Sequence, residues 1–537
     1  MQNENLKNST LLPKEVSVDL QDGEGTAVWC DVVYRLYPRK VPEQLEIIQD
    51  VYGQKACFVP LSACSAGTGV FQVEKPDGHT AVGLRVESPH EPKVRQETSP
   101  DIKSVALDEI VIDPDNRQIY AGGGITLNQL NVALGETLGT EYRVLGADLT
   151  SYSYAQVGST FMTGGMGPQR RYFSDSVNLL LIHDGNETRQ VEGGDLRGYA
   201  GTYGWTGLVI AVRCQFNRVP EHEFAFAIPV SNAAEALARV VTHLAPYCYL
   251  GVDGEVVDSA SGNGGLLFGI EHLTADSMQP VIDSEAAEDQ KNQARRLQAK
   301  CNDANAECVL FVFGASDKPN DEFLLDLLDD PESESLTIGG IDLEHTEVFP
   351  NSEVMRVFRE SVPYALRHQA SQGALVYKNH TDVNVRLNPA DPSKAMEVLW
   401  RINQEYVDSI SQYIDRTTGI TGSIFMYGHM SPYGVDPHNR LTLFSDDPDL
   451  FAEAKTVVDD LRADYYRNVS KACADTQSQY VGGEKSADSE NKMLSAFSDA
   501  GSMPHELVAK INLQIKTIDQ AGYAFSWRRF ENYKSSW

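Results

Sequence analysis

A strand-like apolar run that passes into a chain of small residues is the feature that most constrains the fold of this sequence. The run covers Ala56–Pro60 and leads into the segment Ser65-Ala66-Gly67-Thr68-Gly69. Such a segment lets several backbone N–H groups surround a pyrophosphate, because small side chains do not obstruct the approach. A plain surface turn has the same composition, so the loop alone indicates only a strand followed by a turn.

The length of the chain and its changes of pattern predict more than one structural unit. At 537 residues it exceeds what a single hydrophobic core usually supports. Between Leu45 and Pro220, short β-branched runs alternate with glycine-rich turns and one helix, Thr126–Leu138, which is typical of an α+β unit. From Glu223 onward, strand-like and helix-like segments predict an antiparallel sheet with helices on one side.

The charge and cysteine content exclude several classes of function. Asp and Glu number 76 against 45 Lys and Arg, giving a formal charge of -31, which repels nucleic acid and anionic membranes. No stretch has the pattern of a signal peptide or the apolar length of a membrane span. The eight cysteines form no CxxC pair, which argues against a zinc ribbon, an iron–sulfur cluster or a disulfide framework. We expect a cytoplasmic protein that binds neither nucleic acid nor membrane.

Three further segments follow the small-residue loop in a fixed order. Val105–Ile125 predicts two strands around a turn and leads into the helix, and Ala147–Gly185 and Leu196–Val212 follow it. Together with the loop, these segments resemble the FAD-binding domain of the p-cresol methylhydroxylase and vanillyl-alcohol oxidase superfamily. The resemblance covers roughly 170 residues, the size of a domain. It implies a two-part, PCMH-type FAD-binding domain beside the antiparallel cap or substrate domain.

The resemblance assigns cofactor contacts to three of these segments. In the first loop the pyrophosphate contacts would be made by Ser65, Ala66, Gly67, Thr68 and Gly69. In the second flavin-contacting segment the implied residues are Asp148, Gly158, Ser159, Thr160, Gly164 and Gly165. At the adenine end they are Gly207, Leu208 and Ile210.

The first loop also predicts how the flavin is held. Family members that attach FAD covalently through this loop place a histidine at the position that matches Thr68. A threonine does not form that linkage, so the resemblance implies noncovalent FAD. Cys64 lies close by and is expected to be a small packed side chain.

These observations predict four regions. Residues 1–44 form an N-terminal segment, 45–220 the FAD-binding domain and 221–475 the cap or substrate domain. Residues 476–537 form a C-terminal segment that returns to the flavin domain.

Three downstream segments bear on the substrate. Met355–Gln369, His380–Leu387 and Met426–Phe444 resemble the FAD-linked D-lactate dehydrogenase and glycolate oxidase branch of the superfamily. Arg359 matches the arginine that faces the substrate carboxylate in that branch, and a guanidinium suits a planar carboxylate. An exposed helix arginine is the alternative interpretation.

Two histidines suggest a metal beside the flavin. His429 and His438 flank a loop between two predicted strands, so both imidazoles can converge on one divalent ion with a carboxylate as third ligand. The resemblance places Asp488 at the position of the metal-binding glutamate and Ser489 at that of a histidine base. Two loop histidines without a metal are the alternative. His380, His429 and His438 all remain candidates for the general base.

The leading functional hypothesis is oxidation of a D-2-hydroxy acid by hydride transfer to flavin N5, with an electron acceptor to reoxidise the flavin. The second is oxidation of another alcohol, a phenol or an amine by the same flavin domain. The third is a flavin-binding subunit of a complex with weakened activity. The identity of the acceptor (oxygen, quinone, cytochrome or flavoprotein) and the oligomeric state, whether homo-oligomer or partner subunit, stay open.

Overall fold

The structure is a computed structural model that describes residues 30–61, 76–149, 151–168, 172–247, 265–330, 336–350, 352–367, 373–482, 487–522 and 525. The predicted pyrophosphate loop Ser65–Gly69, and Cys64 before it, lie outside the described residues. The side chain of Asp488 is likewise not described.

Contacts within the chain divide it into two units. Unit 1 comprises Met1–Gly167, Arg171–Arg218 and Val508–Trp537, and unit 2 comprises Pro168–Arg170 and Val219–Leu507. The finer boundaries expected from the sequence, at residues 44, 220 and 475, stay predictions.

Before residue 219, the described part of unit 1 consists of short strands and three α-helices. The elements are β1 Val32–Arg35, α1 Val41–Tyr52, β2 Ala56–Leu61, β3 Thr80–Arg85, β4 Lys93–Gln96, β5 Glu109–Asp113, β6 Gln118–Gly122, α2 Leu127–Leu138, β7 Tyr142–Arg143, α3 Val157–Thr163, β8 Val177–His183, β9 Thr188–Glu192, β10 Leu208–Gln215 and β11 Asn217–Arg218.

The strands of unit 1 form two main sheets. A parallel three-stranded sheet has the order β1-β3-β2, and a six-stranded sheet has the order β4-β5-β6-β10-β8-β9. Successive side chains of a strand point to opposite faces, and both faces of the six-stranded sheet are buried. Ile110 and Ile112 pack with α2 and α3, whereas Val111 packs with the three-stranded sheet and α1.

Local signals in the sequence explain the elements of unit 1 that were predicted. Thr126 accepts a hydrogen bond from the backbone of Gln129, and the Gln129 side chain accepts one from Thr126, which completes a capping box at the start of α2. The Asp113 carboxylate accepts from the backbone of Asn116 and closes the turn between β5 and β6. The predicted helix and turn are confirmed.

Unit 2 contains the longest elements. They are β12 His222–Val230, α4 Ala234–His243, β13 Gly265–Thr274, α5 Gln279–Asp283, α6 Glu288–Asp303, β14 Cys308–Ser316, α7 Asn320–Asp326, β15 Thr337–Ile338, β16 Ile341–Asp342, β17 Glu347–Val348, α8 Ser352–Arg367, β18 Leu375–Asp382, β19 Asn384–Arg386, α9 Pro392–Arg416, β20 Thr421–Ser431, β21 Gly434–Ser445, α10 Pro448–Thr476, β22 Gln479–Gly482 and α11 Ala487–Asp499. The last helix, α12 His505–Gln520, begins in unit 2 and continues in unit 1.

A nine-stranded sheet organises unit 2. Its order is β17-β12-β14-β13-β20-β21-β19-β22, and β18 pairs with β21 as well. The pairings are antiparallel, as the sequence predicts.

Helices contact both faces of this sheet, so the expectation of helices on one side is wrong. On β13, His272 packs edge-on against Trp400 of α9. The neighbouring Glu271 points to the opposite face, where it pairs with Arg359 of α8. Across the described part of the chain, no helix combines the length and the apolar composition needed to cross a bilayer.

Candidate functional site

Backbone register brings chemically active side chains together on one face of the unit 2 sheet. Strands β20 and β21 form a hairpin in which His429 lies opposite Asp436 and Tyr427 lies opposite His438. On the far side of β21, Asp382 of β18 is also opposite His438. Side chains directly opposite each other in a sheet lie on the same face, and so do side chains two residues apart on one strand. His429, Asp436, Tyr427, His438 and Asp382 therefore share one face, together with His380, which lies two residues before Asp382.

Three imidazoles form the centre of this arrangement. The ring centroids of His429 and His438 are 4.8 Å apart, and those of His380 and His438 are 5.4 Å apart. The Tyr427 ring stacks on His438 at 5.0 Å. His380, His429 and His438 are 8%, 2% and 5% exposed, so all three are held inside the protein.

Carboxylates stand beside two of these rings. The distance from His438 Nδ1 to Asp382 Oδ2 is 3.3 Å, and that from His438 Nε2 to Asp436 Oδ2 is 3.8 Å. His429 Nδ1 is 3.7 Å from Glu271 Oε1. We call His380, Asp382, His429, Asp436 and His438 the histidine cluster.

The structure corrects the environment predicted for the two candidate metal ligands. His429 and His438 do not flank a loop but lie within β20 and β21, which are joined by the two residues between Ser431 and Gly434. The loop expected between the two histidines is thus a short turn, and both histidines belong to the strands on either side of it. The predicted pair is nevertheless brought together, because the two residues are diagonal neighbours across a hairpin.

Sequence reasoning missed the two carboxylates of the cluster. Asp382 follows His380 by two residues, and Asp436 precedes His438 by two residues. A spacing of two on a strand places both members of such a pair on the same face. The two-residue spacing between each aspartate and its histidine could have indicated the carboxylates from the sequence. It does so only when both segments are first assigned as strands.

Arg359 is buried and already engaged. Its Nε donates to Glu271 Oε2, and the two side chains are 2% and 6% exposed. Its guanidinium carbon lies 4.6 Å from the centroid of the Phe313 ring. A bidentate contact with a substrate carboxylate would therefore require the edge formed by the two Nη atoms. The alternative interpretation of Arg359 as an exposed helix arginine is wrong, because the side chain is buried.

The segment predicted to make the second set of flavin contacts surrounds α3 in unit 1. Gly158, Ser159 and Thr160 lie in this helix, and Gly164 ends it in the left-handed conformation with φ 64°. Gly165 packs on Thr160, so a Cβ at Gly165 would lie 2.8 Å from Thr160 Cγ2. Asp148 is half-buried in the segment between β7 and α3.

The second and last predicted segments meet at Gly123. The Gly158 amide donates to Gly123 O at 3.2 Å, and the Gly123 amide donates to Ile210 O at 2.7 Å. A Cβ at Gly158 would lie 2.9 Å from Gly123 O. Segments distant in sequence thus converge, as a shared cofactor requires, and backbone packing already accounts for glycine at this position.

The residues predicted to contact the adenine end of FAD lie at the start of β10. Gly207 has φ 142°, and a Cβ there would lie 2.4 Å from His183 O. Leu208 and Ile210 are 4% and 7% exposed. The donors expected to bind the pyrophosphate of FAD lie in the loop outside the described residues.

Solved structures with similar folds include alkyldihydroxyacetonephosphate synthase in two crystal forms. One is 14% identical with a TM-score of 0.56, covering 93% of this chain and 75% of that chain. The other is 13% identical with a TM-score of 0.54, covering 93% of this chain and 76% of that chain. A variant of berberine bridge enzyme described as a reticuline dehydrogenase is 12% identical with a TM-score of 0.52, covering 98% of this chain and 92% of that chain.

The predicted α+β fold class is confirmed. The described elements combine helices with a nine-stranded antiparallel sheet, and the chain shares its fold with these structures. No family model matches the sequence, and no curated protein sequence is similar to it. At this level of identity, the likeness establishes the fold.

Proposed function

We propose that the protein is an FAD-dependent oxidoreductase that binds its flavin noncovalently and acts on a small organic substrate. The histidine cluster supports this proposal most directly. It places three buried imidazoles and two carboxylates on one sheet face, within a fold shared with flavoproteins. FAD, when bound, supplies a two-electron acceptor that takes hydride at flavin N5.

The cluster supplies the proton acceptor that such an oxidation needs. Imidazole titrates near neutral pH and can take a proton from a substrate hydroxyl. Asp382 faces Nδ1 of His438 at 3.3 Å, which favours a proton on Nδ1 and a lone pair on Nε2. His380, His429 and His438 are all proposed participants.

The specific substrate proposed is a D-2-hydroxy acid. Arg359 would hold its carboxylate, a cluster histidine would take the hydroxyl proton, and hydride would leave C2. The products would be the 2-keto acid and the reduced flavin, which an electron acceptor reoxidises. The two electrons of the C–H bond would pass to the flavin with the hydride, and the hydroxyl proton would pass to the histidine.

One observation favours a second candidate, the oxidation of another alcohol, a phenol or an amine. Arg359 is paired with Glu271, and both side chains are buried. The Glu271 carboxylate thus already neutralises the positive charge of Arg359, and it already accepts a hydrogen bond from the Nε edge of the guanidinium. A substrate without a carboxylate would not need to compete with Glu271.

Anaerobic flavin reduction tests the proposal. The purified protein is mixed with D-lactate, L-lactate, propane-1,2-diol and a phenol or amine panel, and bleaching of the flavin band is followed. We expect D-lactate to bleach the flavin, and a His380→Gln variant to bleach it at least tenfold more slowly, in line with the contribution of general bases. Absence of flavin from the purified protein would refute the proposal.

The same experiment separates the two candidates. If Arg359 binds the carboxylate, Arg359→Lys raises the apparent KM for D-lactate, because lysine keeps the charge but loses the planar fork. Bleaching by propane-1,2-diol or by the panel, with no preference for D-lactate, would favour the second candidate.

A further inference from the structure

We propose that Glu271 is a positioning residue that makes the substrate carboxylate a condition for rapid proton transfer to His429. When a carboxylate substrate binds, Glu271 leaves Arg359 and turns to the imidazole of His429. This role rests on the proposed function, because it takes the substrate carboxylate to bind at Arg359. It adds a link between that binding and the chemical step.

Glu271 stands between the two groups that it is proposed to connect. It lies directly opposite His429 in the ladder of β13 and β20, so both side chains are on the same face of the sheet, with Cβ atoms about 5 Å apart. Its Oε2 accepts a hydrogen bond from Arg359 Nε, and its Oε1 is 3.7 Å from His429 Nδ1. The carboxylate thus has one oxygen beside each neighbour.

The two contacts of Glu271 differ in kind. The contact with Arg359 is a charge-assisted hydrogen bond between two buried side chains. The distance to His429 exceeds the range of about 2.7–3.2 Å over which an N–H group donates to an oxygen. Glu271 is therefore engaged with Arg359, and an approach of roughly 0.5–1 Å completes the hydrogen bond with His429.

A second contact holds Arg359 in place when Glu271 leaves. Its guanidinium carbon is 4.6 Å from the centroid of the Phe313 ring, and that ring is itself buried. The face of an aromatic ring attracts a cation, most strongly where water is excluded. An incoming carboxylate takes the place of Glu271, so the buried guanidinium keeps a negatively charged partner throughout, as its stability requires.

The released carboxylate prepares His429 for the reaction. A carboxylate that accepts from Nδ1 of a histidine fixes the tautomer in which Nε2 carries the lone pair, and it stabilises the imidazolium formed when Nε2 takes a proton. The hydroxyl proton of the substrate then passes to Nε2 of His429 while the hydride leaves C2.

The same movement distinguishes carboxylates from neutral alcohols. Propane-1,2-diol has the size and the hydroxyl group of lactate but no carboxylate, so it does not displace Glu271 from Arg359. His429 then accepts the proton without a carboxylate partner, and more slowly. The substrate carboxylate therefore raises the rate of the chemical step as well as the affinity, whereas a group that serves only for binding raises the affinity alone.

Imidazole NMR of the flavin-loaded wild-type protein tests the movement without turnover. The probe is 2-hydroxy-2-methylpropanoate, which has the carboxylate and hydroxyl of lactate but no hydrogen at C2 and so cannot donate hydride. We expect it to move the Nδ1–H resonance of His429, assigned from its absence in His429→Gln, downfield as the bond to Glu271 forms. The neutral analogue 2-methylpropane-1,2-diol should cause no shift. A resonance that the acid leaves unchanged would overturn the role of Glu271.

The kinetics of flavin bleaching give a second test, which an ion pair of purely structural importance would not satisfy. In Glu271→Gln the half-saturating concentration of D-lactate should fall roughly tenfold, because a charged hydrogen bond no longer competes at Arg359. The limiting rate should also fall about tenfold or more, because His429 loses its carboxylate partner. With propane-1,2-diol neither quantity should change appreciably. A joint fall of both constants is the signature of a ground-state contact that the reaction must break.

Glu109→Gln is the matched control. Glu109 is a buried carboxylate of unit 1 that accepts a hydrogen bond from Arg95 at 2.9 Å. Its substitution removes a comparable charge from the other unit and should leave both bleaching constants for D-lactate unchanged. Circular dichroism and flavin content show that each variant is folded and loaded.

Two kinetic outcomes would overturn the role of Glu271. One is a Glu271→Gln variant with a raised half-saturating concentration of D-lactate and an unchanged limiting rate. The other is equal slowing with D-lactate and propane-1,2-diol. Failure of D-lactate to bleach the wild type counts against the proposed function instead, and the imidazole shift with the acid that cannot be oxidised then decides on Glu271 alone.

Discussion

Arg359 of α8 and Glu271 of β13 form an ion pair inside unit 2, with side chains 2% and 6% exposed. Glu271 also lies 3.7 Å from Nδ1 of His429. The pair therefore connects a helix that the sequence associated with substrate binding to the histidine cluster. A buried ion pair is strongly destabilised when only one partner is removed.

We predict that Glu271→Gln lowers the free energy of unfolding by roughly 3–5 kcal/mol, because it leaves a buried guanidinium without its carboxylate. The double variant Glu271→Gln/Arg359→Met should recover part of the loss. Urea denaturation measures both. The matched control is Glu397→Gln, which removes a partly exposed pair with Arg401 within α9 and should cost less than about 1 kcal/mol. A Glu271 variant no less stable than this control would contradict the prediction.

Gly123 and Gly194 provide a matched pair in unit 1. A Cβ at Gly123 would lie 2.3 Å from the carbonyl oxygen of Val209, whereas a Cβ at Gly194 would meet no atom within 4 Å. Gly123→Ala should therefore destabilise the protein by roughly 1–3 kcal/mol or more through overpacking. Gly194→Ala should stay within about 0.5 kcal/mol of the wild type. Equal melting temperatures for the two variants would show that the strands around Gly123 can separate at little cost.

His272 predicts a pH dependence of stability. Burial lowers its pKa to about 3, and its Nε2 is 2.8 Å from Asn232 Oδ1, so the folded protein holds it neutral. The unfolded chain binds a proton near pH 6.5. The contribution to the free energy of unfolding is complete above pH 6.5 and is lost as the pH falls toward 3, at roughly 1.4 kcal/mol per unit.

The measurement compares wild type with His272→Gln, whose amide nitrogen can replace the Nε2 donor. Between pH 7 and pH 5, the wild type should lose about 2 kcal/mol more stability than the variant. His505→Gln, at an exposed position, is the control and should follow the wild type. Parallel stability curves for His272→Gln and the wild type would rule out His272 as a buried neutral group.

Much of the fold could be predicted because its signals are local. The helix at Leu127–Leu138 begins at a capping box, and the strands of unit 1 are β-branched runs between turn residues. The longest helix, Pro448–Thr476, was not predicted. Its buried positions include Arg462 and Ser470, so the apolar periodicity that predicts a helix is weak. The sequence feature that does indicate the start of this helix is Asp447 followed by a proline.

The candidate site was predicted only in part because it depends on pairing between strands. The resemblance of the segment Met426–Phe444 to a known branch drew attention to His429 and His438, but it suggested a partner, Asp488, from a distant segment. Asp382 and Asp436 lie beside the histidines through the register of β18, β20 and β21. Register is set by the tertiary packing of the whole sheet and is not encoded in any short segment.

Phe525 links the C-terminal region to the strand that leads toward the predicted pyrophosphate loop. It is 0% exposed, and its ring lies 5.2 Å from Phe58 of β2 at an angle of 72°. The chain reaches this position after the Gly522 amide donates to Asp184 O at 2.7 Å. Phe525 therefore belongs to the core that β2 shares with β3 and α1.

We predict that Phe525→Ala lowers the free energy of unfolding by roughly 3–5 kcal/mol, because it removes a buried ring and leaves a cavity against Phe58. Because β2 runs toward Ser65–Gly69, the variant should also release flavin faster than the wild type upon dilution. Urea denaturation and flavin fluorescence measure the two effects. Tyr364→Ala, which truncates an aromatic side chain 54% exposed on α8, is the control and should change neither. A Phe525 variant that keeps wild-type stability would show that the packing of Phe58 does not depend on the C-terminal region, and faster flavin release without loss of stability would place Phe525 in the binding of flavin and not in the core.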